Sequence, residues 1–187
     1  PLAAVGTVYT VTSTSNSGTG TLRQAITDAN GHAGADTIQF NISGTGMHTI
    51  TPTSALPTIT SPVILDATTD NSFAANGNKP AIILDGNNLA ANGLLLSSTA
   101  DGSTIRGLVI RDFGNSSSHD GIEIQAGSNG NTIAGNYIGR LNATGADAGA
   151  AEANFGKGLR ILGANNTIDG NVISGNDLSG VLISGTS

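Results

Sequence analysis

The sequence contains no cysteine and no tryptophan, and aromatic residues make up only 3% of its 187 positions. Without cysteine the chain forms no disulfide bond, no thiolate metal site and no cysteine nucleophile. With so few aromatic rings, the core must be built from aliphatic side chains. We therefore expect a thin core of isoleucine, leucine and valine, with many of the 27 glycines in turns.

Charge is scarce as well. Charged residues make up 11% of the chain, and 7 lysines and arginines against 13 acidic residues give a net charge of −6. With no basic run and no RNA-binding motif, we expect no nucleic acid partner. No apolar run approaches the roughly 20 residues that span a bilayer, so we expect no membrane span. The acidic composition, poor in lysine and rich in serine, threonine and asparagine, favours an extracellular or cell-surface location.

Two interleaved repeats occupy the second half of the chain, and a search for repeats decides the fold class. The pattern T-I-x-G-[LN]-x-I aligns without gaps at residues 104–110, 132–138 and 167–173. A glycine followed by apolar-x-apolar occurs at residues 93–96, 121–124, 158–161 and 180–183. Each repeat therefore predicts two short strands with a corner between them.

The spacing of the repeats favours a solenoid. From the glycine of each apolar-x-apolar strand to the threonine of the next T-I-x-G pattern there are 11, 11 and 9 residues. From that threonine to the glycine of the following strand there are 17, 26 and 13 residues. One constant corner and one corner with insertions is typical of stacked rungs. A hairpin meander would need two-residue turn signals between its strands.

We therefore predict an all-β fold, a single-stranded right-handed parallel β-helix with a short N-terminal capping α-helix. One domain spans residues 1–187. Residues 1–35 hold a first strand and the cap helix, 36–100 the opening rungs, and 101–187 the regular rungs with an insertion at 141–156. In the helix, Leu22, Ala25, Ile26 and Ala29 share one face, and Thr19 or Thr21 caps its start.

The two-residue period of a strand predicts which side chains face inward. Asn136 and Asn171 fall in register after a glycine, which favours a ladder of hydrogen-bonded amides over ordinary turn residues. Glu123 and Arg160 fall on an outward column, where we expect an exposed ion pair worth no more than about 1 kcal/mol. The inward columns should contain Ile105, Ile133 and Ile168; Ile110, Ile138 and Ile173; Ile122, Leu159 and Val181; and Ile124, Ile161 and Ile183.

The sequence also resembles a family. Residues 21–26, Thr-Leu-Arg-Gln-Ala-Ile, followed by 34–40, Gly-Ala-Asp-Thr-Ile-Gln-Phe, are similar to the N-terminal segment of large bacterial cell-surface repeat proteins. That segment usually reads Cys or Gly and then Ser-Leu-Arg-Glu-Ala-Ile, so this chain differs at two positions and lacks the cysteine. The likeness continues at 56–66, 82–86, 136–139, 165–168 and 170–176. It implies a pectate-lyase-like parallel β-helix in an adhesive or structural surface protein, and it implies no particular activity.

Two segments carry little apolar sequence, residues 67–79 and 141–156. We expect them to form mobile surface, although long loops also carry function.

No enzyme motif is present. The chain has no Asp-Asp pair, no Arg-x-Pro-x-x-Arg run, no Asp-Pro-His-Glu run and no Gly-Gly dipeptide, so the patterns of polysaccharide hydrolases, pectate lyases, alginate epimerases and calcium-binding nonapeptides are missing. We expect no catalytic residues and no cofactor. His32 and His48 stand next to no matched partner, so no metal site is predicted, and calcium at Asp147 or Asp169 has no support from spacing.

The nearest approach to a site is a group of polar residues around one rung. A solvated polar loop is the favoured interpretation, and carbohydrate binding is the alternative. The group contains Arg106, Arg111, Asp112, His119, Asp120 and Glu123.

The last strand, residues 180–183, is followed by no second cap in the sequence. Either the chain belongs to a longer repeat protein, or this edge pairs with the first strand of another copy and forms filaments. The residues expected at such a contact are Val5, Val8, Val11, Val181, Leu182 and Ile183.

Three classes of function remain. The first is a non-enzymatic extracellular structural or adhesive module, whose partner is another copy end to end or a polysaccharide. The second is carbohydrate binding or cleavage, which needs a convergent cluster of carboxylates or arginines on an outward face. The third is binding to ice or mineral, which needs a long flat threonine array; only Thr104, Thr132 and Thr167 align, so it ranks last.

Overall fold

The computed structural model describes residues 5–185. Over this range the chain is mostly β, and its strands form three sheets in which neighbouring strands are parallel. This arrangement is consistent with the predicted all-β parallel solenoid. Both the repeats and their phase are confirmed, since Ile133 pairs with Ile105 on one side and with Ile168 on the other.

The three sheets, named A, B and C, contain six, five and four strands, and each of the last four rungs contributes one strand to each sheet. Sheet A contains, in spatial order, β1 (Val8–Val11), β2 (Asp36–Phe40), β4 (Val63–Asp66), β7 (Thr104–Arg106), β10 (Thr132–Ala134) and β13 (Thr167–Asp169). Sheet B contains β3 (His48–Ile50), β5 (Ile82–Leu89), β8 (Leu108–Phe113), β11 (Tyr137–Gly139) and β14 (Val172–Ser174). Sheet C contains β6 (Leu94–Leu96), β9 (Ile122–Ile124), β12 (Leu159–Ile161) and β15 (Val181–Ile183).

Each regular rung has three strands, not the two that the repeats predict. The T-I-x-G-[LN]-x-I pattern is divided at its glycine, because Gly107, Gly135 and Gly170 have φ angles of 77°, 61° and 61°. Residues other than glycine rarely adopt this left-handed backbone conformation. Glycine allows the backbone to turn at these positions, so the chain leaves one sheet and enters the next.

The core is mainly aliphatic, as the composition requires, with Phe40 and Phe113 as its buried aromatic rings, and its inward columns follow the prediction. Ile105, Ile110, Ile122 and Leu159 are fully buried. In the last strand, however, Ile183 is 72% exposed because no described rung lies beyond it.

Helix α1 (Leu22–Gly31) packs on β1 and β2 and covers the N-terminal opening of the solenoid. The Thr21 hydroxyl accepts a hydrogen bond from the Gln24 amide at 3.3 Å, so Thr21 caps the helix. Arg23 pairs with neither Asp28 nor Asp36; its guanidinium donates to the backbone carbonyls of Asn16, Ser54 and Ala55. No helix in the described part of the chain is long and apolar enough to cross a membrane.

Asparagine ladders connect the rungs at their corners. The predicted ladder is confirmed: the Asn136 amide nitrogen Nδ2 donates to Asn171 Oδ1 at 3.0 Å. Two further ladders were not predicted. Asn131 Nδ2 donates to Asn166 Oδ1 at 2.9 Å, and Asn154 Nδ2 donates to Asn176 Oδ1 at 3.0 Å.

Residues 67–79 and 141–156 contain short helical turns and buried positions, so they are not simply exposed surface, while their mobility stays a prediction. The first segment forms a 3₁₀ turn (Ala67–Thr69) and helix α2 (Asn71–Ala75), which Asp70 caps by accepting from the Ser72 amide at 2.9 Å. The second contains a 3₁₀ turn (Ala150–Glu152) and the buried Ala143. Asn76 Nδ2 donates to the Ala143 carbonyl at 2.8 Å, so the two segments also bind each other.

Candidate functional site

The six predicted carbohydrate-binding residues are distributed around the solenoid and do not share one face. Arg106 lies in sheet A, Arg111 and Asp112 lie in sheet B, and Glu123 lies in sheet C, while His119 and Asp120 belong to the connection between β8 and β9. Of these six, only Arg111 and Asp112 take part in a common cluster.

Most of the charged groups among the six have partners within the chain. Arg106 Nη2 donates to Oδ2 of the buried Asp66 at 2.5 Å. Lys157 Nζ lies 3.7 Å from Asp120. Arg160 lies 3.6 Å from Glu123, so the expected pair forms, but Glu123 is buried and the pair is not the exposed one that was predicted.

A cluster of three carboxylates surrounds Arg111 on the outer side of sheet B. Its guanidinium contacts Asp85 at 2.8 Å and 3.0 Å and Glu152 at 3.1 Å. Oxygens of Asp85, Asp112 and Glu152 lie within 4.8 Å of one another. In the described residues this is the one group of three with the spacing of metal ligands. We call it the carboxylate cluster.

Asp112 has the most unusual environment in this cluster. It is 7% exposed and has a φ angle of 55°, which is uncommon for a residue with a side chain. Burial first, and then the neighbouring charge of Asp85, raise the pKa of Asp112 from 3.8 to about 6. An acid that titrates near neutral pH beside two other carboxylates could donate or accept a proton, and the three together could hold a hard cation.

Of the three carboxylates in this cluster, the sequence indicated only Asp112, together with the central Arg111. Asp85 was missed, although it pairs with Arg111 in the strand register and follows the apolar run that opens β5. Glu152 lies in the insertion, 40 positions from Asp112, and no repeat or motif connects the two.

Two histidines that seemed unpartnered do have acidic neighbours. His32 Nδ1 lies 2.9 Å from Asp36, and His32 Nε2 lies 3.2 Å from the Thr7 hydroxyl. Asp36 also accepts from the Thr7 backbone amide at 2.6 Å, so this trio joins the residue before β1, the residue after α1 and the start of β2. His48 lies 3.8 Å from Asp70. The expectation that no matched partner stands beside these histidines is therefore wrong for His32, whereas His48 Nε2 makes no hydrogen bond to the described residues.

Asp147 and Asp169 show no clustering with other acids. Asp147 contacts Arg140 at 2.8 Å and accepts from the Gly149 amide at 2.8 Å, and these bonds lower its pKa. Asp169 is exposed at the end of β13.

A shallow groove of about 290 Å³ follows the corner between sheets A and B. Its floor crosses three rungs at Gly107, Gly135 and Gly170, and Arg106 and Ala134 face it. Two aromatic rings, Phe73 and Tyr137, line it as well, together with Thr68, Asn78 and Pro80. We call it the corner groove.

The predicted self-assembly residues lie at the two ends. Val5 and Val8 are exposed, whereas Val11 is buried in the core. Val181 and Ile183 are exposed on the inward face of β15. Helix α1 covers the opening beside β1, so another copy could pair there only with the free edge of β1.

Comparison with protein-family models and with curated proteins gives no match to this chain.

Proposed function

We propose that the chain is a single right-handed parallel β-helix that acts outside the cell or at the bacterial cell surface as a non-enzymatic structural or adhesive module. Crossovers between parallel strands are right-handed in nearly all proteins, which supports the handedness. The likeness of residues 21–26 and 34–40 to bacterial surface repeat proteins supports the location.

One observation carries this proposal: the same hydrogen-bonded contact recurs from rung to rung at three corners. Buried amides such as Asn136 are fully hydrogen-bonded and specify one arrangement of the backbone. Charged groups near the surface are mostly bound to each other, as Arg106 is to Asp66. Such a molecule presents a rigid, extended outer face, which suits a scaffold.

Adhesion can be measured on the purified chain. Fluorescently labelled protein is incubated with insoluble polysaccharides and with immobilised extracellular proteins, and the retained fraction is determined after washing. The proposal expects retention on at least one surface, saturable and competed by unlabelled protein. Absence of saturable retention on every surface would contradict the adhesive part of the proposal.

The corner groove favours a second candidate, saccharide binding. Aromatic rings pack against the apolar faces of sugars, while an arginine and an asparagine offer hydrogen-bond donors to hydroxyl groups. Phe73, Tyr137, Arg106 and Asn78 supply these groups along a floor of glycine corners. The ion pair with Asp66 fixes the Arg106 guanidinium and neutralises its charge, so an uncharged saccharide fits this groove best.

A substitution tests this second candidate. Ala134→Trp would fill the groove from an outward position of β10. The matched control is Thr37→Trp, an outward position of the same sheet outside the groove. Affinity electrophoresis in neutral polysaccharide gels should show retardation for the wild type and the control, and none for Ala134→Trp. Equal retardation of the two variants would exclude the groove.

A further inference from the structure

A threonine, a histidine and an aspartate form a hydrogen-bonded chain beside the cap helix. The Thr7 hydroxyl lies 3.2 Å from His32 Nε2, and His32 Nδ1 lies 2.9 Å from Asp36 Oδ1. A hydroxyl, a base and a carboxylate in this order form the arrangement that activates a hydroxyl as a nucleophile. We call these three residues the Thr7 triad.

The carboxylate determines which nitrogen of His32 carries the proton. An ionised carboxylate only accepts hydrogen bonds, so His32 Nδ1 donates to Asp36. In the neutral imidazole, Nε2 then has the free lone pair and accepts from the Thr7 hydroxyl. His32 is therefore oriented as a base toward Thr7.

Asp36 is placed to support this base. Its side chain is fully buried, and its Oδ1 also accepts from the Thr7 backbone N–H at 2.6 Å. Its Oδ2 is buried and makes no hydrogen bond within the described residues. A buried carboxylate stabilises a neighbouring positive charge more strongly than an exposed one, because solvent screens it less. Asp36 is thus a positioning residue that favours transfer of the Thr7 proton to His32.

The backbone holds the triad together. The Thr37 amide donates to the Thr7 carbonyl at 2.8 Å, which fixes Thr7 against the start of β2. Gly6 packs so closely on the connection between α1 and β2 that an added Cβ would clash with the Ala35 carbonyl oxygen. The threonine and the two residues that activate it are therefore held by contacts between two rungs.

The triad is open to solvent on one side. The His32 side chain is 40% exposed, Thr7 is half-buried, and Gly6 beside it is exposed. A small reagent can therefore approach Thr7 while the solenoid stays closed.

The same geometry disfavours turnover. Hydrolysis of an ester on Thr7 would pass through an oxyanion, which N–H donors beside the nucleophile stabilise. The backbone N–H of Thr7 itself already donates to Asp36. An acyl group on Thr7 should consequently stay attached. The first step has the same handicap, so the acyl donor must carry a good leaving group.

We propose that Thr7 is an acyl acceptor that takes one acyl group from an activated ester or thioester. The Thr7 oxygen attacks the acyl carbonyl carbon, the bond from that carbon to the leaving oxygen or sulfur breaks, and an ester forms at Thr7. The hydroxyl proton passes to His32 Nε2 and then to the leaving group, so the reaction needs no further reactant. This modification goes beyond the proposed scaffold function, because it attaches one covalent group to the module.

The test treats the full chain with p-nitrophenyl acetate at about pH 8. Tandem mass spectrometry follows acetylation of each residue over time, and hydroxylamine, which cleaves esters but not amides, distinguishes an acetylated threonine from acetylated amino groups. The variants are Thr7→Val and His32→Gln, with folding checked by circular dichroism. The matched control is Thr10→Val, which removes another hydroxyl of the same chain segment, one that accepts from Gln39 at 3.0 Å.

We expect a single acetyl ester, at Thr7, in the wild type and in Thr10→Val. His32→Gln should slow acetylation of Thr7 by about a hundredfold, the contribution typical of a general base. Acetylation of Thr7 no faster than that of Thr10 would overturn the inference, and so would equal rates in the wild type and His32→Gln. Release of nitrophenol far beyond one equivalent that is lost in Thr7→Val would also overturn it, because the ester would then turn over.

A second readout needs no variant and tests the role of Asp36. In the wild type, long-range correlation of hydrogen and nitrogen by NMR shows which nitrogen of His32 carries the proton. The Thr7 triad requires the proton on Nδ1 at about pH 8, because Asp36 accepts from that nitrogen. A proton on Nε2 alone would overturn the inference, since His32 could then not accept from Thr7.

Discussion

At the scale of single residues, the corner asparagines explain why the rungs hold one register. Asn136 is fully buried, accepts from the Leu108 amide at 3.1 Å and donates to the Ile105 carbonyl at 3.0 Å. A buried donor or acceptor that loses its partner costs more than the bond itself contributes. The amides therefore penalise any slip of the stack, which the aliphatic columns alone would tolerate.

We expect Asn136→Ala to lower the free energy of unfolding by about 2 to 3 kcal/mol, because it leaves the Leu108 amide and the Ile105 carbonyl buried without partners. Urea unfolding followed by circular dichroism measures this change. The control is Asn115→Ala, which removes an exposed asparagine from a loop. Equal effects of the two substitutions would show that the ladder contributes nothing to stability.

Asp112 gives the protein a pH dependence. Its pKa is raised from 3.8 to about 6 in the folded chain, chiefly by burial, so the folded state binds its proton more tightly than the unfolded state does. The stability that this proton provides is complete below about pH 4 and is lost as the pH rises through about 6.

Asp112→Asn should therefore stabilise the protein at pH 7.5 by about 1 to 2 kcal/mol relative to wild type, with little difference at pH 4. Asparagine also tolerates the left-handed backbone at this position. Urea unfolding at the two pH values measures the effect. A difference that does not change between pH 4 and 7.5 would mean that the Asp112 carboxyl does not titrate in this range.

At the scale of elements, the glycine that opens each strand of sheet C has a steric cause. Gly121 lies so close to the next rung that an added Cβ would come within 2.7 Å of the Gly158 carbonyl oxygen and 2.9 Å of Asn154. Gly180 occupies the same position on the last rung, where the nearest atom is 3.4 Å away. The pattern of glycine before apolar-x-apolar thus reflects the close approach of stacked backbones.

Gly121→Ala should consequently destabilise the chain by at least about 1 kcal/mol more than Gly180→Ala, because backbone atoms cannot yield as a flexible side chain can. Thermal unfolding of the two variants measures the difference. If both alanines cost the same, the cost comes from glycine's backbone freedom and not from contact between rungs.

The insertion shows where element prediction from sequence fails. Its last residues include Asn154, which accepts from the Phe113 amide at 3.1 Å and returns the chain to a corner ladder. The repeats do not predict that Asn154 lies at a corner ladder, because a segment of variable length separates it from β11. The register of the strands, in contrast, follows from gap-free local patterns, so the sequence alone predicts Ile105, Ile133 and Ile168 in one column.

At the scale of the whole molecule, the sequence predicts the stacking of the rungs well and the contacts on their outer surface poorly. Inward columns depend on residues two apart in one strand, which a reader of the sequence sees directly. The outer contacts join distant segments: Asp70 accepts from the Ile42 amide at 2.8 Å, and Glu152 reaches Arg111. No periodicity encodes such pairs, so Asp85 and Glu152 escaped prediction while Arg111 and Asp112 did not.

The central claim is that this solenoid is a scaffold that binds without turning over a substrate. The most direct test incubates the purified chain with neutral and acidic polysaccharides at pH 5 and pH 8, with and without calcium, and measures new reducing ends and unsaturated ends over time. The account predicts no product above the buffer control. Product that grows in proportion to protein concentration and falls in Asp112→Asn would contradict it, and would make the carboxylate cluster an active site.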